Sequence, residues 1–127
     1  VDDDFQNTEK YQDFLENNPG SGNLKIRAFA ASEAIPIVGL QVVVRTMVDQ
    51  DEFIFFEGVT DASGMIETLS LPTPSIILNN LEAPTSILYE VVAQSDEMKI
   101  NRLFPVRMYD GICVVQNIGI LPEWGGD

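Results

Sequence analysis

Two clusters of carboxylates are the residues best suited to binding chemistry in this 127-residue chain. They are Asp49, Asp51 and Glu52 in the middle of the chain and Asp2, Asp3 and Asp4 near its start. A hard cation such as calcium takes several oxygen ligands from a flexible loop, yet neither cluster follows the helix-loop-helix calcium pattern with its central glycine. We therefore expect solvated charge clusters, with calcium as the alternative and no other metal or cofactor.

The residues for nucleophilic catalysis are incomplete. The chain has no histidine, which removes Ser-His-Asp and Cys-His activation and the usual zinc sites. Cys113, the single cysteine, leaves no internal disulfide and lies between Ile112 and Val114, so we expect it to be buried in the core. Any two of the 20 acidic residues could be chosen as a glycosidase pair, so their number supports none. We predict no catalytic residue and no enzyme activity.

A third chemistry is the isopeptide cross-link of a pilin-like load-bearing domain. Lys25, Glu90 and Asn117 have the residue types that such a bond requires. The bond also requires all three groups to be buried together, so that the lysine loses its proton. Leu24 and Ile26 alternate with Lys25 and occupy the inward face of a strand, which turns Lys25 toward solvent. We expect no cross-link.

The stretch VTDASGMIETLSLP, residues 59 to 72, places turn-forming residues between two apolar flanks. Asp61 and Ser63 are suited to hydrogen-bond their own backbone, and Gly64 supplies the positive φ that closes a reversal. Turn chemistry accounts for all three residues. We interpret them as a structural turn that joins strands 53–60 and 65–71 as an antiparallel pair.

The pattern before residue 23 predicts a short helix over residues 8–17. Tyr11, Phe14 and Leu15 have the spacing of one helix face, and the run ends before Pro19. A helix of about ten residues is marginal alone, so we expect the strands to form without it. Ser21-Gly22 is interpreted as a flexible joint.

From residue 23 the apolar period changes to two, which is typical of half-buried strands. The predicted strands are 23–30, 41–47, 53–60, 65–71, 87–94, 99–108 and 112–120. Residues 32–39 and 72–86 contain prolines and are expected to be a crossing and an irregular connection. About seven short strands with turns between them predict an all-β antiparallel sandwich.

Length and charge limit the remaining possibilities. The predicted organisation is an acidic amino-terminal segment at 1–22, a sandwich domain at 23–122 and a tail at 123–127. The formal charge of −13 opposes binding to nucleic acid and to anionic lipid. No apolar run reaches the roughly 20 residues that span a bilayer, so we expect no membrane insertion.

Four segments together resemble a known family. They are GNLKIRAFAASEAIPIVGLQVVV, VTDASGMIETLSLPTP, LYEVVAQ and VRMYDGICVVQNIGILP. Their order and spacing are similar to the carboxypeptidase regulatory-like domains, in particular a bacterial Firmicutes type, which have a transthyretin-like (prealbumin-like) sandwich. The similarity spans residues 9–122. Leu40 and Tyr109 depart from it, because the pattern usually has Ala and Phe there.

The resemblance implies a non-catalytic structural or protein-interaction module of an envelope-associated or secreted protein, with the cytoplasm left open. Its partner would be a protein or an attached domain, and Tyr109 and Trp124 are the candidate contacts. The same scaffold hosts a purine-pathway hydrolase that depends on histidines, which this chain lacks. The alternatives are a cation-dependent carbohydrate or surface-ligand binder and a pilin-like load-bearing domain.

Overall fold

The computed structural model describes residues 9–30, 35–48, 50–75 and 86–120. These residues form one helix and eight strands. They are α1 (Glu9–Asn17), β1 (Gly20–Ala30), β2 (Ile35–Pro36), β3 (Gln41–Val48), β4 (Asp51–Val59), β5 (Met65–Thr73), β6 (Ile87–Ser95), β7 (Ile100–Met108) and β8 (Cys113–Ile120). The seven predicted strands are all present, and β2 is the short addition.

The strands form two sheets. Sheet A is centred on β1, which pairs with β8 on one edge and with β5 and the short β2 on the other. Sheet B has the order β4-β3-β6-β7. All pairs are antiparallel except β1 with β8, which run parallel. The predicted all-β sandwich with a short amino-terminal helix is confirmed.

The core lies between the inward faces of the two sheets. Leu24, Ile26 and Ala28 of β1 are completely buried, as the period of two predicts, and Lys25 between them is exposed. Sheet B contributes the alternate residues Val42, Val44, Tyr89, Val91 and Ala93. Side chains from the two inner faces interdigitate, and each large buried one contributes about 1.5 to 3 kcal/mol to the free energy of unfolding.

Helix α1 packs against the sandwich through aromatic rings. Phe14 is buried, and its ring lies 5.7 Å from the rings of both Phe53 and Phe55. The ring of Tyr11 packs edge-on against the ring of Phe53, with 5.9 Å between the ring centroids. The side-chain amide of Asn18 donates to the Phe14 carbonyl at 2.8 Å and so caps the last turn. Within the described ranges no helix is long and apolar enough to cross a membrane.

The flexible joint expected at Ser21-Gly22 is wrong. Both residues belong to β1 and pair with Pro72 and Leu71, so the proposed domain boundary at residue 22 falls inside a strand. Gly22 serves close packing instead of flexibility, because a Cβ there would lie 2.6 Å from the Tyr109 carbonyl oxygen.

Two further connections differ from expectation. The predicted strands 41–47 and 53–60 leave a loop at 48–52, whereas the hairpin between β3 and β4 is tighter, since Asp51 and Glu52 are already paired with Val48 and Met47. Gln50 has a φ of 74°, which allows the short reversal. The predicted pairing of strands 53–60 and 65–71 is also wrong, because β4 pairs with β3 and β5 pairs with β1.

Tyr89 connects the two sheets across the core. Its ring is fully buried, and its hydroxyl donates to the Pro72 carbonyl of β5 at 2.6 Å. Burial, with a smaller contribution from Tyr11, raises the pKa of Tyr89. The phenol therefore stays neutral in the folded state at pH values at which an unfolded chain would ionise it.

We predict that Tyr89→Phe lowers the free energy of unfolding by about 1 kcal/mol at neutral pH, because the hydrogen bond to Pro72 is lost. The folded-state pKa exceeds the unfolded value of about 10, so the contribution of Tyr89 is present below that pH and declines above it. The variant should therefore lose stability less steeply above about pH 10 in urea titrations. Tyr109→Phe is the matched control, and an equal change of slope there would contradict the role of Tyr89.

We also predict that Phe14→Ala lowers the free energy of unfolding by about 3 kcal/mol without abolishing cooperative unfolding. The reason is that Phe14 is the buried residue of α1, whereas the sheets are held by their own core. Chemical denaturation measures the loss, with Leu15→Ala as the control for a half-buried neighbour. Loss of the cooperative transition would show that the helix is integral to the core.

Candidate interaction surface

The residues from Thr60 to Gly64 carry the chain from sheet B to sheet A. The Asp61 carboxylate accepts hydrogen bonds from the backbone N–H of Ser63 at 2.8 Å and of Met65 at 3.0 Å. Gly64 has a φ of 76°, and a Cβ there would lie 2.5 Å from the Ala28 carbonyl oxygen. The Asp61 carboxylate is thus engaged by backbone N–H groups of the turn, and Gly64 is required by its positive φ and its close approach to Ala28. The segment is therefore a structural turn between the two sheets.

A buried threonine fixes the start of this corner. The Thr60 hydroxyl accepts from the Leu40 N–H at 3.0 Å and donates to the Ile37 carbonyl at 2.6 Å. It therefore ties the segment between β2 and β3 to the end of β4. Sequence reasoning missed this role, since a lone threonine at a strand end carries no signal of its partners.

The predicted calcium residues do not converge. Asp51 forms an ion pair with Lys10 of α1, whereas Glu52 forms one with Arg45 at 2.7 Å. Asp49, Asp2, Asp3 and Asp4 lie outside the described residues. In the part of the chain that the structure describes, no group of three or more His, Cys, Asp or Glu side chains is placed to hold a metal ion.

The three cross-link residues are likewise apart. Lys25 and Asn117 are exposed on the outer face of sheet A. Glu90 is on sheet B, and its carboxylate accepts from Arg45 Nε at 3.0 Å. The arrangement lacks the shared burial that the reaction requires.

The remaining predicted positions have mixed outcomes. Cys113 is exposed, so its expected burial is wrong. The alternation of β8 directs Ile118 inward and Cys113 outward. Tyr109 is half-buried in the turn between β7 and β8, where its carbonyl accepts from the Ile112 N–H. Trp124 lies outside the described residues.

The outer face of sheet B carries exposed apolar side chains among polar and charged ones, and no described element covers it. We call it the B face. It exposes Met47 (50%), Val59 (60%), Leu88 (40%) and Leu103 (47%), one from each of its four strands. Cross-strand pairing sets the half-buried Val43 and Val92 in line with Leu103. Arg45 and Glu90 lie between this row and Met47 and Leu88, so the face alternates apolar and charged rows, an arrangement suited to a mixed apolar and polar contact.

One ion-pair network lies within the B face. Arg45 Nη1 lies 2.7 Å from Glu52 and Arg45 Nε lies 3.0 Å from Glu90. The hydrogen bond to Glu52, supported by Glu90, raises the pKa of Arg45. The guanidinium links three adjacent strands and remains about a third exposed, so its planar donors are fixed in direction.

Strands β3 and β6 carry a partial sequence signal for the B face. β3 and β6 hold the continuous apolar runs Val42-Val43-Val44 and Val91-Val92-Ala93. A strand with one solvated face alternates apolar and polar residues, whereas continuous runs are typical of strands covered on both faces. Each run places one apolar residue, Val43 or Val92, on the outer face, so the runs indicate an outer surface that is partly apolar.

A second feature is an open cleft at one end of sheet B, with a volume of about 510 Å³. Gln41, Glu57, Gln94, Asp96 and Glu97 contribute to its lining. The cleft is polar and acidic, and Gln41, Glu57 and Gln94 belong both to its lining and to the B face.

No protein-family model matches this chain, and no curated protein matches its sequence. Solved structures are similar to it. (S)-allantoin synthase has a TM-score of 0.53 and 13% identity over 88% of this chain, which corresponds to 46% of that protein. Sea bream transthyretin in complex with thyroxine has a TM-score of 0.43 and 17% identity, over 68% of this chain and 72% of that one. A dioxygenase domain from Streptomyces sp. SirexAA-E has a TM-score of 0.48 and 14% identity, over 80% of this chain and 79% of that one.

Identities this low bear on the fold alone. Of these three structures, (S)-allantoin synthase is the one with a TM-score above 0.5. The transthyretin structures assign neither a ligand nor an activity to this chain.

We predict that calcium leaves the melting temperature unchanged, since Asp51 and Glu52 are engaged by Lys10 and Arg45. A functional site with a dissociation constant 100-fold below the calcium concentration would add about 2.7 kcal/mol. Thermal unfolding with millimolar calcium, with chelator and with magnesium as an ionic-strength control measures the difference. A rise of several degrees that chelator reverses would overturn the expectation.

Proposed function

We propose that this protein is a non-catalytic structural or protein-interaction module, and that it binds a protein partner or an attached domain through the B face. The observation that carries the proposal is the exposed apolar group of Met47, Val59, Leu88 and Leu103 on one sheet face. Covering such a group removes apolar surface from water and favours association by roughly 25 cal/mol for each Å² buried.

The ion pairs in the B face supply specificity for this interaction. Apolar contacts alone do not fix orientation, whereas the directed donors of Arg45 and the carboxylates of Glu52 and Glu90 reject partners without complementary groups. Partial burial of an ion pair also penalises a misaligned complex, because a charge would then lose its water without gaining a partner.

The absence of histidine from the sequence supports a non-catalytic role, since histidine-dependent hydrolysis is impossible in this chain. The resemblance to carboxypeptidase regulatory-like domains favours an accessory module of a bacterial envelope or secreted protein. The acidic cleft favours the alternative of a carbohydrate or surface-ligand binder, because Glu57, Asp96 and Glu97 offer oxygen acceptors there.

The proposal predicts that a photo-reactive amino acid at position 103 forms a covalent adduct with a different protein in the cells that produce this chain. Val115 is the matched control, because it is an apolar residue of equal exposure, 47%, on the outer face of sheet A. Once the partner is identified, Leu103→Asp should weaken binding at least about tenfold, which is 1.4 kcal/mol.

Leu103→Asp should leave the melting temperature within a few degrees of the wild type, because the side chain is not part of the core. Val115→Asp should change neither stability nor binding. Equal adduct formation at positions 103 and 115, or none at 103, would contradict an interaction through the B face.

A further inference from the structure

The two sides of the sandwich carry opposite charge. We call the edge strands β7 and β8 the basic side, and the edge strands β4 and β5 the acidic side. The basic side has Arg102 and Arg107 and no acidic residue, whereas the acidic side has no basic residue. The acidic residues of β4 and β5 are Asp51, Glu52, Glu57 and Glu67.

This separation is unexpected for the composition. The chain has 20 acidic residues against seven basic ones, so a strand pair with two arginines and no carboxylate runs against the average. Arg102 Nη1 also donates to the Gly119 carbonyl at 3.3 Å, which ties β7 to β8 across the gap between the sheets. Arg102 therefore lies on the inner side of β7, next to β8, whereas Arg107 lies on its outer face.

Both sides end in strands with unpaired backbone groups. Among the described residues β7 pairs only with β6, β8 only with β1, β4 only with β3 and β5 only with β1. An edge strand presents a row of N–H and C=O groups to another strand. β8 contains no charged residue and no proline, which are the usual devices that protect an edge.

Strand directions make the two sides compatible with each other. In sheet B each strand is antiparallel to the next, so β7 runs opposite to β4. In sheet A β5 is antiparallel to β1 and β8 is parallel to β1, so β8 runs opposite to β5. If a second copy is placed beside the first in the same orientation, β7 meets β4 and β8 meets β5, both antiparallel.

We propose that the basic side is a docking surface for the acidic side of a second copy of this chain, so that copies associate head to tail with continuous sheets. Charge selects this arrangement over two-fold pairings. A β7 to β7 contact would oppose arginines to arginines, and a β4 to β4 contact would oppose carboxylates to carboxylates. Head-to-tail contact is heterologous and propagates beyond a dimer.

The outer-face charges fit the same arrangement. Arg107 of β7 pairs across from the exposed Leu88, and Glu57 of β4 pairs across from Val43, so both lie on the outer face of sheet B. In a continuous sheet they share one face. Glu57 forms no ion pair with another described residue, whereas Asp51 and Glu52 are engaged within the chain. Glu57 is therefore the β4 carboxylate available to a neighbour.

Two features keep the association reversible. Pro105 has no N–H, so β7 cannot offer a complete ladder to another strand. The net charge of −13 also repels copies at long range. The assembly is accordingly concentration-dependent, and it is independent of the role proposed for the B face.

Sedimentation of the purified chain at submillimolar concentrations tests the proposal. The weight-average mass should rise with concentration beyond twice the 14.1 kDa of one chain. Arg102→Glu with Arg107→Glu, and separately Glu57→Lys with Glu67→Lys, should each raise the apparent dissociation constant at least about tenfold. Mixing the two variants should restore assembly, because each then meets sides of opposite charge.

Lys25→Glu with Arg27→Glu is the matched control, since it changes the net charge as much as the arginine variant does but lies on the central strand β1. Its apparent dissociation constant should rise less than that of the arginine variant. Arg107→Glu alone is a second variant that should fold normally, because its described side-chain contact is a surface hydrogen bond to Ser86. A chain that stays monomeric, stops at a dimer, or shows no recovery on mixing would overturn the proposal.

Discussion

The position of β5 depends on the close approach of Gly64 to the backbone of Ala28. The Ala28 N–H donates to the Gly64 carbonyl at 2.8 Å, and only a residue without a Cβ fits there. The Thr60 hydroxyl holds the preceding segment, so the chain passes to β1 instead of folding back on β4. Because of this crossing between the sheets, β4 and β5 are edge strands of different sheets, and the core lies between the two sheets.

The same strands build the core and the B face. The outer positions of β3 and β6 alternate apolar with polar or charged residues, so packing the inner residues against sheet A leaves Met47 and Leu88 on an outer surface that also carries Arg45. A sandwich with only two layers cannot cover it. The residues that stabilise the core and those exposed on the B face thus belong to the same strands, since inward and outward positions alternate.

Charge is organised at a larger scale than single ion pairs. The three ion pairs described are partly exposed and contribute little to stability. Carboxylates lie on β4 and β5 and arginines lie on β7, so the two lateral edges of the sandwich carry opposite charge. A directional surface has consequences for association, because complementary sides meet in one orientation and repel in others.

The sequence by itself determined the strands, the inward positions of Leu24, Ile26 and Ala28, and the helix that buries Phe14, because apolar periodicity is a local property. Tertiary structure alone decided that β8 runs parallel to β1, that Cys113 faces outward and that β4 and β5 lie in different sheets. The physical reason is that a strand has two equivalent edges and two faces. Its backbone hydrogen bonds are the same with any neighbour, so contacts distant in sequence select among them.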